Sequence, residues 1–240
     1  MHLLEAMNKE NTIIILGTAH LGTTPGKCSP DNRFREAVWS REICKDLNAI
    51  LHQYGYKSEI DYEPLNPSAD MKGATTKQQQ NNELAVRVNY VNSLCQKHGS
   101  NNCLYISIHV DAAGADNKWH TAGGFTVWTS VGQTKSDRLA EYIYDRAITN
   151  LKEYSQIMAS GKIKGLYDKN QNYIRMDKSD GDKDKEANFY VLKNTECPAV
   201  LIECMFQDNK SDVEYLLSDL GRHEITRSIL EGILDYIEKS

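Results

Sequence analysis

Three ionisable residues stand where apolar runs end. His20 follows the run at residues 12–17, His109 lies near the close of residues 103–110, and Glu203 ends residues 198–203. Imidazole nitrogen and carboxylate oxygen are ligands that zinc accepts, and a site with three protein ligands keeps a position open for water. Metal-assisted hydrolysis is therefore one chemistry open to this set. The three are far apart in sequence, however, and none belongs to a short metal motif such as H-E-x-x-H. Spacing alone leaves the blander reading open: two strand-end histidines with ordinary hydrogen-bond partners, and a glutamate capping the next segment. The remaining histidines (His2, His52, His98, His120 and His223) fall in expected helices, termini or loops. His120, just before an expected strand, is the one placed to line a cleft.

The elements that must position these residues follow from periodicity. Residues 12–17 form a continuous apolar run ending in glycine, as expected of a strand buried on both faces. A polar loop follows to about residue 32. Residues 33–54 place Ala37, Ile43, Leu47, Ile50, Leu51 and Tyr54 at helical spacing, with Gly55 as a stop. A short strand is expected at 56–60, then a polar loop over 63–80 entering a helix near Asn82 that ends near Gly99. Further strands are expected at 103–110, 124–130 and 198–203, and helices at 136–151, 209–217 and 219–238. Residues 155–187 read as irregular, with a charged loop at 177–186 and a candidate role in contacting substrate. Strands alternating with helices predict a single α/β domain, its mostly parallel twisted sheet flanked by helices on both faces. That domain is placed at 12–240, after a short N-terminal extension at 1–11. In such sheets ligands bind beyond the carboxyl ends of the strands, so His20, His109 and Glu203 are expected to converge.

Composition excludes other classes. A chain of 240 residues is long enough for one well-buried domain, and a net charge of −5 offers no basic footprint for nucleic acid. No apolar run reaches the ~18 residues of a membrane span. The first ten residues lack the pattern of a secretory signal, which predicts synthesis in the cytoplasm. The six cysteines form no C-x-x-C pair, and several lie in apolar segments, so reduced structural thiols are expected.

Five blocks stand in order along the chain. The first is Ile-Ile-Leu-Gly-Thr-Ala-His20-Leu-Gly. The second is Glu36 opening a helix that keeps Leu47, Ile50, Leu51, Gly55 and Tyr56 in register. The third is Leu84-Ala-Val-Arg87-Val-Asn-Tyr-Val-Asn92, and the fourth is Ser107-Ile-His109-Val-Asp111-Ala. The last runs from Asn188 to Glu203 and on to Asp208-Asn209. Together they resemble the zinc-dependent N-acetylmuramoyl-L-alanine amidases of bacterial cell-wall hydrolases and phage lysins. The resemblance spans residues 13–237, and it implies one zinc ion held by His20, Glu36 and His109, with Glu203 as the catalytic carboxylate. It also implies cleavage of the amide between the lactyl group of N-acetylmuramic acid and the first L-Ala of the stem peptide.

Two departures stand out. The Pro-Gly usual before the first histidine is missing, and Asp111 replaces an asparagine. Asp111 is expected either to orient the His109 ring or to fill a plain strand-end role. Arg87 and Asn92 are expected to be mainly structural, and Arg87, His120 and Asn188 stand with Asp111 as candidate substrate-contacting or supporting residues. The expected setting is a monomer acting on peptidoglycan in the periplasm or wall after release from the cytoplasm, as a phage-type lysin or wall hydrolase. The alternatives are a zinc peptidase or N-acyl amino-acid amidohydrolase, and a non-catalytic peptidoglycan-binding module.

Overall fold

Ile13–Thr18 forms β1, and its side chains alternate between two hydrophobic clusters, as period-two geometry requires. Ile14 and Leu16 face one cluster, and Ile13 and Ile15 the other. The computed structural model describes residues 7–160 and 173–239. In chain order the remaining elements are α1 (Glu36–Gln53), β2 (Lys57–Ile60), α2 (Thr76–His98), β3 (Cys103–Asp111), β4 (Phe125–Thr129) and α3 (Lys135–Asn150). They continue with α4 (Lys152–Ser160), β5 (Lys185–Glu186), α5 (Tyr190–Asn194), β6 (Ala199–Phe206), α6 (Lys210–Leu216) and α7 (Asp219–Lys239).

The sheet has the order β2-β1-β3-β6-β4-β5. The first four strands are mutually parallel, β4 is antiparallel to β6, and β5 runs with β4. Helices cover both faces. On one, α1, α3 and α7 bury Trp39, Ile43, Leu47, Ile143, Ile229 and Ile233 against Ile14, Leu16, Ile106 and Ile202. On the other, α2 and α5 bring Val88, Val91, Val191 and Leu192 to Ile13, Ile15 and Tyr105. This is the expected α/β architecture with a mostly parallel sheet. The close packing of α7 on α3 depends on Gly232, where a Cβ would fall 2.7 Å from the Cα of Ile143.

Two expectations need correction. The helix expected from Asn82 starts at Thr76, inside the segment read as loop. Its first turn is exposed and polar, so apolar periodicity gives no signal there. It is instead nucleated by Thr75, whose side chain accepts from the Gln78 N–H at 3.2 Å, and by good helix formers in Lys77 and the three glutamines. Likewise, the region read as irregular, 155–187, contains the end of α4 and all of β5. Residues 161–172 of that candidate substrate-contacting segment lie outside the described residues, as do residues 1–6 of the N-terminal extension. The rest of the extension rests on the domain, with Met7 against the core and the Lys9 ammonium 4.6 Å from the Tyr56 ring centroid.

All six cysteines are free thiols, five of them buried, as expected. Among the described residues no helix is long and apolar enough to cross a membrane.

Candidate metal centre and active site

Parallel alignment of β1, β3 and β6 brings the expected residues together at the carboxyl ends of the strands. His109 and Glu203 are register partners on β3 and β6. His20 follows two residues after β1. Glu36 is the first residue of α1, where a carboxylate faces the positive end of the helix dipole.

Glu36 is buried, 1 % exposed. Its Oε1 accepts from His109 Nδ1 and from the Val110 backbone N–H, both at 3.1 Å, so it fastens α1 to β3. Its Oε2 has no hydrogen-bond partner, though it lies 3.7 Å from both His20 Nε2 and Lys27 Nζ. The two imidazoles meet edge to face with centroids 5.2 Å apart, and His109 Nε2 lies 3.1 Å from the Ser107 hydroxyl. His20, Glu36 and His109 offer ligand atoms that all lie within 4.8 Å of one another. Among the described residues this is the one such group of three.

The electrostatics suit a cation. Burial, with the neighbouring His109, Lys27 and Arg87, outweighs the attraction of Glu36 and brings the His20 pKa down to about 3. The imidazole is thus neutral at ordinary pH, the form that binds metal. Burial alone would raise Glu36, but the His109 hydrogen bond and the nearby Lys27 ammonium bring it down to about 2. An anionic, buried oxygen that accepts no hydrogen bond is costly unless positive charge meets it, and here the Lys27 ammonium comes no closer than 3.7 Å. Two imidazole nitrogens and one such oxygen form a donor set that zinc accepts. The residues present therefore fit a metal.

Glu203 is half-buried, and its Oε2 is also without a partner. Burial, then the charges of Glu36 and Asp111, raise its pKa well above the usual carboxylate range, against a smaller lowering by Lys27. It is a carboxylate poised to hold or release a proton beside the three candidate ligands.

The structure places the other candidates unevenly. Asp111 does not orient the His109 ring. A register irregularity between the two residues takes it out of line, and its Oδ1 accepts from the Ala112 N–H at 2.8 Å. His120 pairs with Asp116 at 2.8 Å, on the loop between β3 and β4. Asn188 is exposed and shares a depression with Asn101, Ser130 and Pro198, near where β3 and β6 begin and away from the three-ligand group. Arg87 is buried in ion pairs with Asp61 at 2.8 Å and Glu83 at 3.1 Å, and its Nη2 also donates to the His20 carbonyl at 3.3 Å. Asn92 ties α2 to the segment after α5, donating to the Asn194 carbonyl at 2.9 Å and accepting from the Glu196 N–H at 3.0 Å.

Sequence reasoning missed Lys27, Ser40 and Arg41, all in contact with this centre or its backbone, and quoted Ser107 only as part of the fourth block. None carries a spacing signal, since their partners come from other elements. Gly17 is a quieter omission. A Cβ there would lie 2.5 Å from the Tyr105 hydroxyl, which reaches past it to donate to Asp61 Oδ2 at 3.0 Å.

The chain is similar to the CwlD amidase of Clostridioides difficile, solved in complex with the GerS lipoprotein, with a TM-score of 0.69 and 23 % identity over 95 % of this chain and 100 % of that one. It is also similar to an N-acetylmuramoyl-L-alanine amidase of Clostridium difficile 630, with a TM-score of 0.69 and 18 % identity over 96 % and 99 % of the two chains. At these identities the likeness is one of fold. A curated relative, the probable cell wall amidase LytH of Staphylococcus saprophyticus, is 34 % identical over 55 residues, which are 23 % of this chain and 19 % of that protein. The match thus spans about a fifth of the relative's length. Over residues 14–235 the chain matches the profile of the N-acetylmuramoyl-L-alanine amidases, and it belongs to that family.

Proposed function

We propose that this protein is a zinc-dependent N-acetylmuramoyl-L-alanine amidase, which hydrolyses the amide between the lactyl group of N-acetylmuramic acid and L-Ala of the stem peptide. The observation that carries the reading is the in-register pairing of His109 with Glu203, which sets a carboxyl beside the group of His20, Glu36 and His109. Those three would hold the zinc, and the Oε2 of Glu36, which accepts no hydrogen bond, is the oxygen that zinc would meet. When bound, zinc supplies Lewis acidity toward the scissile carbonyl and toward water.

The chain's own residues supply the proton chemistry. Glu203 takes the proton from the attacking water and returns it to the departing amine of L-Ala. Its raised proton affinity makes it a stronger base than an exposed glutamate. Glu36, tied to the Val110 N–H, keeps α1 in place beside His109 while this happens. The partner on this reading is peptidoglycan, met by a monomer acting at the cell wall as a lysin or wall hydrolase.

Digestion of purified sacculi tests the reading. The zinc-loaded protein is expected to release free amino-terminal L-Ala and leave glycan strands intact. New amino termini at another residue would mean a peptidase instead. Glu203→Gln is expected to keep its zinc and lose about 100- to 10,000-fold in turnover. A matching loss of zinc would make Glu203 a ligand and not the base.

A further inference from the structure

His20 carries a left-handed backbone, with φ at +40°, which residues other than glycine seldom adopt. Such a conformation persists only where the surroundings hold it. Here the holding groups come from one turn of α1. The Ser40 hydroxyl accepts from the Ala19 N–H at 2.9 Å and donates to the Ile108 carbonyl at 2.6 Å. Arg41, 4 % exposed, does more.

A guanidinium has five N–H donors, and every one of Arg41's is used on a backbone carbonyl. Its Nε donates to Glu63 at 2.9 Å. Its Nη1 donates to Ala19 at 2.9 Å and Ala37 at 2.7 Å. Its Nη2 donates to His20 at 2.9 Å and Pro64 at 3.0 Å. Among the described residues no carboxylate forms a salt bridge with Arg41, so its charge is spent on fixing chain direction at three places: the β1 exit, the start of α1, and the segment after β2.

From this we infer that Arg41, with Ser40, is a positioning residue for zinc binding: it sets the backbone that aims the His20 imidazole at the site. The inference rests on the zinc reading above. Helix α1 thus contributes twice to the centre, presenting Glu36 itself and, one turn on, locking the peptide that presents His20. Lysine cannot replace arginine here, because an ammonium has three donors in a compact head and cannot span carbonyls on three segments. The Arg87 contact to the same His20 carbonyl is longer and comes from a guanidinium already committed to Asp61 and Glu83.

Chelator competition for zinc is the test, run on the full chain with far-UV circular dichroism and melting of the zinc-free protein alongside. Arg41→Lys is expected to weaken zinc binding by about 10- to 100-fold, the usual effect of losing a group that orients a ligand. Ser40→Ala, a milder change that decides the matter if Arg41→Lys does not fold, is expected to weaken it by about fivefold. Both effects are expected to vanish in a His20→Ala background, measured with a weaker chelator, because the pair acts through His20. A merely structural role would weaken zinc equally with or without His20. That result, or wild-type zinc affinity in both variants, overturns the inference while leaving the zinc reading intact. A wild-type chain that takes up no zinc overturns both.

Discussion

Two residues beside the site carry strained, left-handed backbone without being glycine, and the chain holds them by opposite means. His20 is held mainly from the carbonyl side, by the cations Arg41 and Arg87 donating into the peptides around it, with the neutral Ser40 hydroxyl accepting the Ala19 N–H. Met205, two residues after Glu203 and at φ +70°, is held from the N–H side. There the Asp212 carboxylate accepts from the Phe206 N–H at 3.0 Å and from the Gly124 N–H at 3.1 Å, while the Tyr154 hydroxyl donates to it at 2.6 Å. Asp208 and Asn209 work alongside, Asp208 accepting from the Ala113 and Gly114 N–H groups at 2.8 and 3.0 Å. The first region pairs its buried carboxylates, Asp61 and Glu83, with a guanidinium. In the second, no salt bridge to Asp208 or Asp212 is formed among the described residues. The lesson is that cationic holders keep their charge at any pH the protein meets, whereas the buried Asp212 holds its proton into the neutral range.

The sharpest way to break this comparison is to remove the cation that pairs two acids. Arg87→Met leaves Asp61 and Glu83 buried without it, and removing one partner of a buried ion pair costs about 3–5 kcal/mol. Denaturant unfolding at neutral pH is expected to show a loss of that size. A loss under about 1 kcal/mol would mean that Thr18 and Tyr105 satisfy Asp61 unaided, and that the cationic side is not ionic in its energetics.

The acid side is tested by pH. Burial is the largest cause raising Asp212 from 3.8 to about 7, and its hydrogen bonds offset only part of this. A folded pKa above the unfolded one means that the folded state binds more protons in between. The contribution of Asp212 to stability is then greatest below about pH 4, falls as pH rises, and levels off above about pH 7. Asp212→Asn removes the charge and keeps an oxygen for the two N–H groups. The stability difference between variant and wild type is therefore expected to move in the variant's favour by roughly 2–4 kcal/mol from pH 4 to pH 8. Taking the difference cancels other titrating groups, such as Asp184, which burial and nearby aspartates raise to about 6. A flat difference would show that Asp212 stays ionised throughout and that the two regions do not differ in pH response.

How far these regions were legible in the sequence differs in the same way. His20, His109 and Glu203 stood out because strand periodicity locates carboxyl ends, and parallel strands align those ends. Glu36 did not, because nothing in its own helix separates it from Glu42; only the resemblance picked it out. The turn of α2 from Thr76 was hidden by its lack of an apolar face. Arg41 and Asp61 gave no sign at all, since Arg41 bonds to carbonyls at Ala19 and Pro64, and Asp61 to groups at Thr18 and Arg87. Backbone carbonyls carry no residue identity for a pattern to register. Asp212 looked like any acid in the first turn of a helix, and only the fold shows it turned inward onto Gly124 and Phe206.

The smallest effect separates two jobs of one side chain on the acid side. Asn209 is fully buried, and its Oδ1 caps α6 by accepting from the Ser211 and Asp212 N–H groups at 2.9 and 3.2 Å. Its Nδ2 donates to the Ala122 carbonyl at 3.1 Å and the Thr121 carbonyl at 3.4 Å, so it also holds the loop ahead of β4. Serine caps a helix about as well as asparagine but has no amide donor to reach that loop. Asn209→Ser is therefore expected to cost about 1 kcal/mol for the lost loop contact, and Asn209→Ala about 2 kcal/mol, with the cap lost as well. Equal costs would assign the whole effect to the loop. Wild-type stability in Asn209→Ser would reduce this residue to a helix cap, and Asp208 and Asp212 alone would then hold the backbone after Glu203.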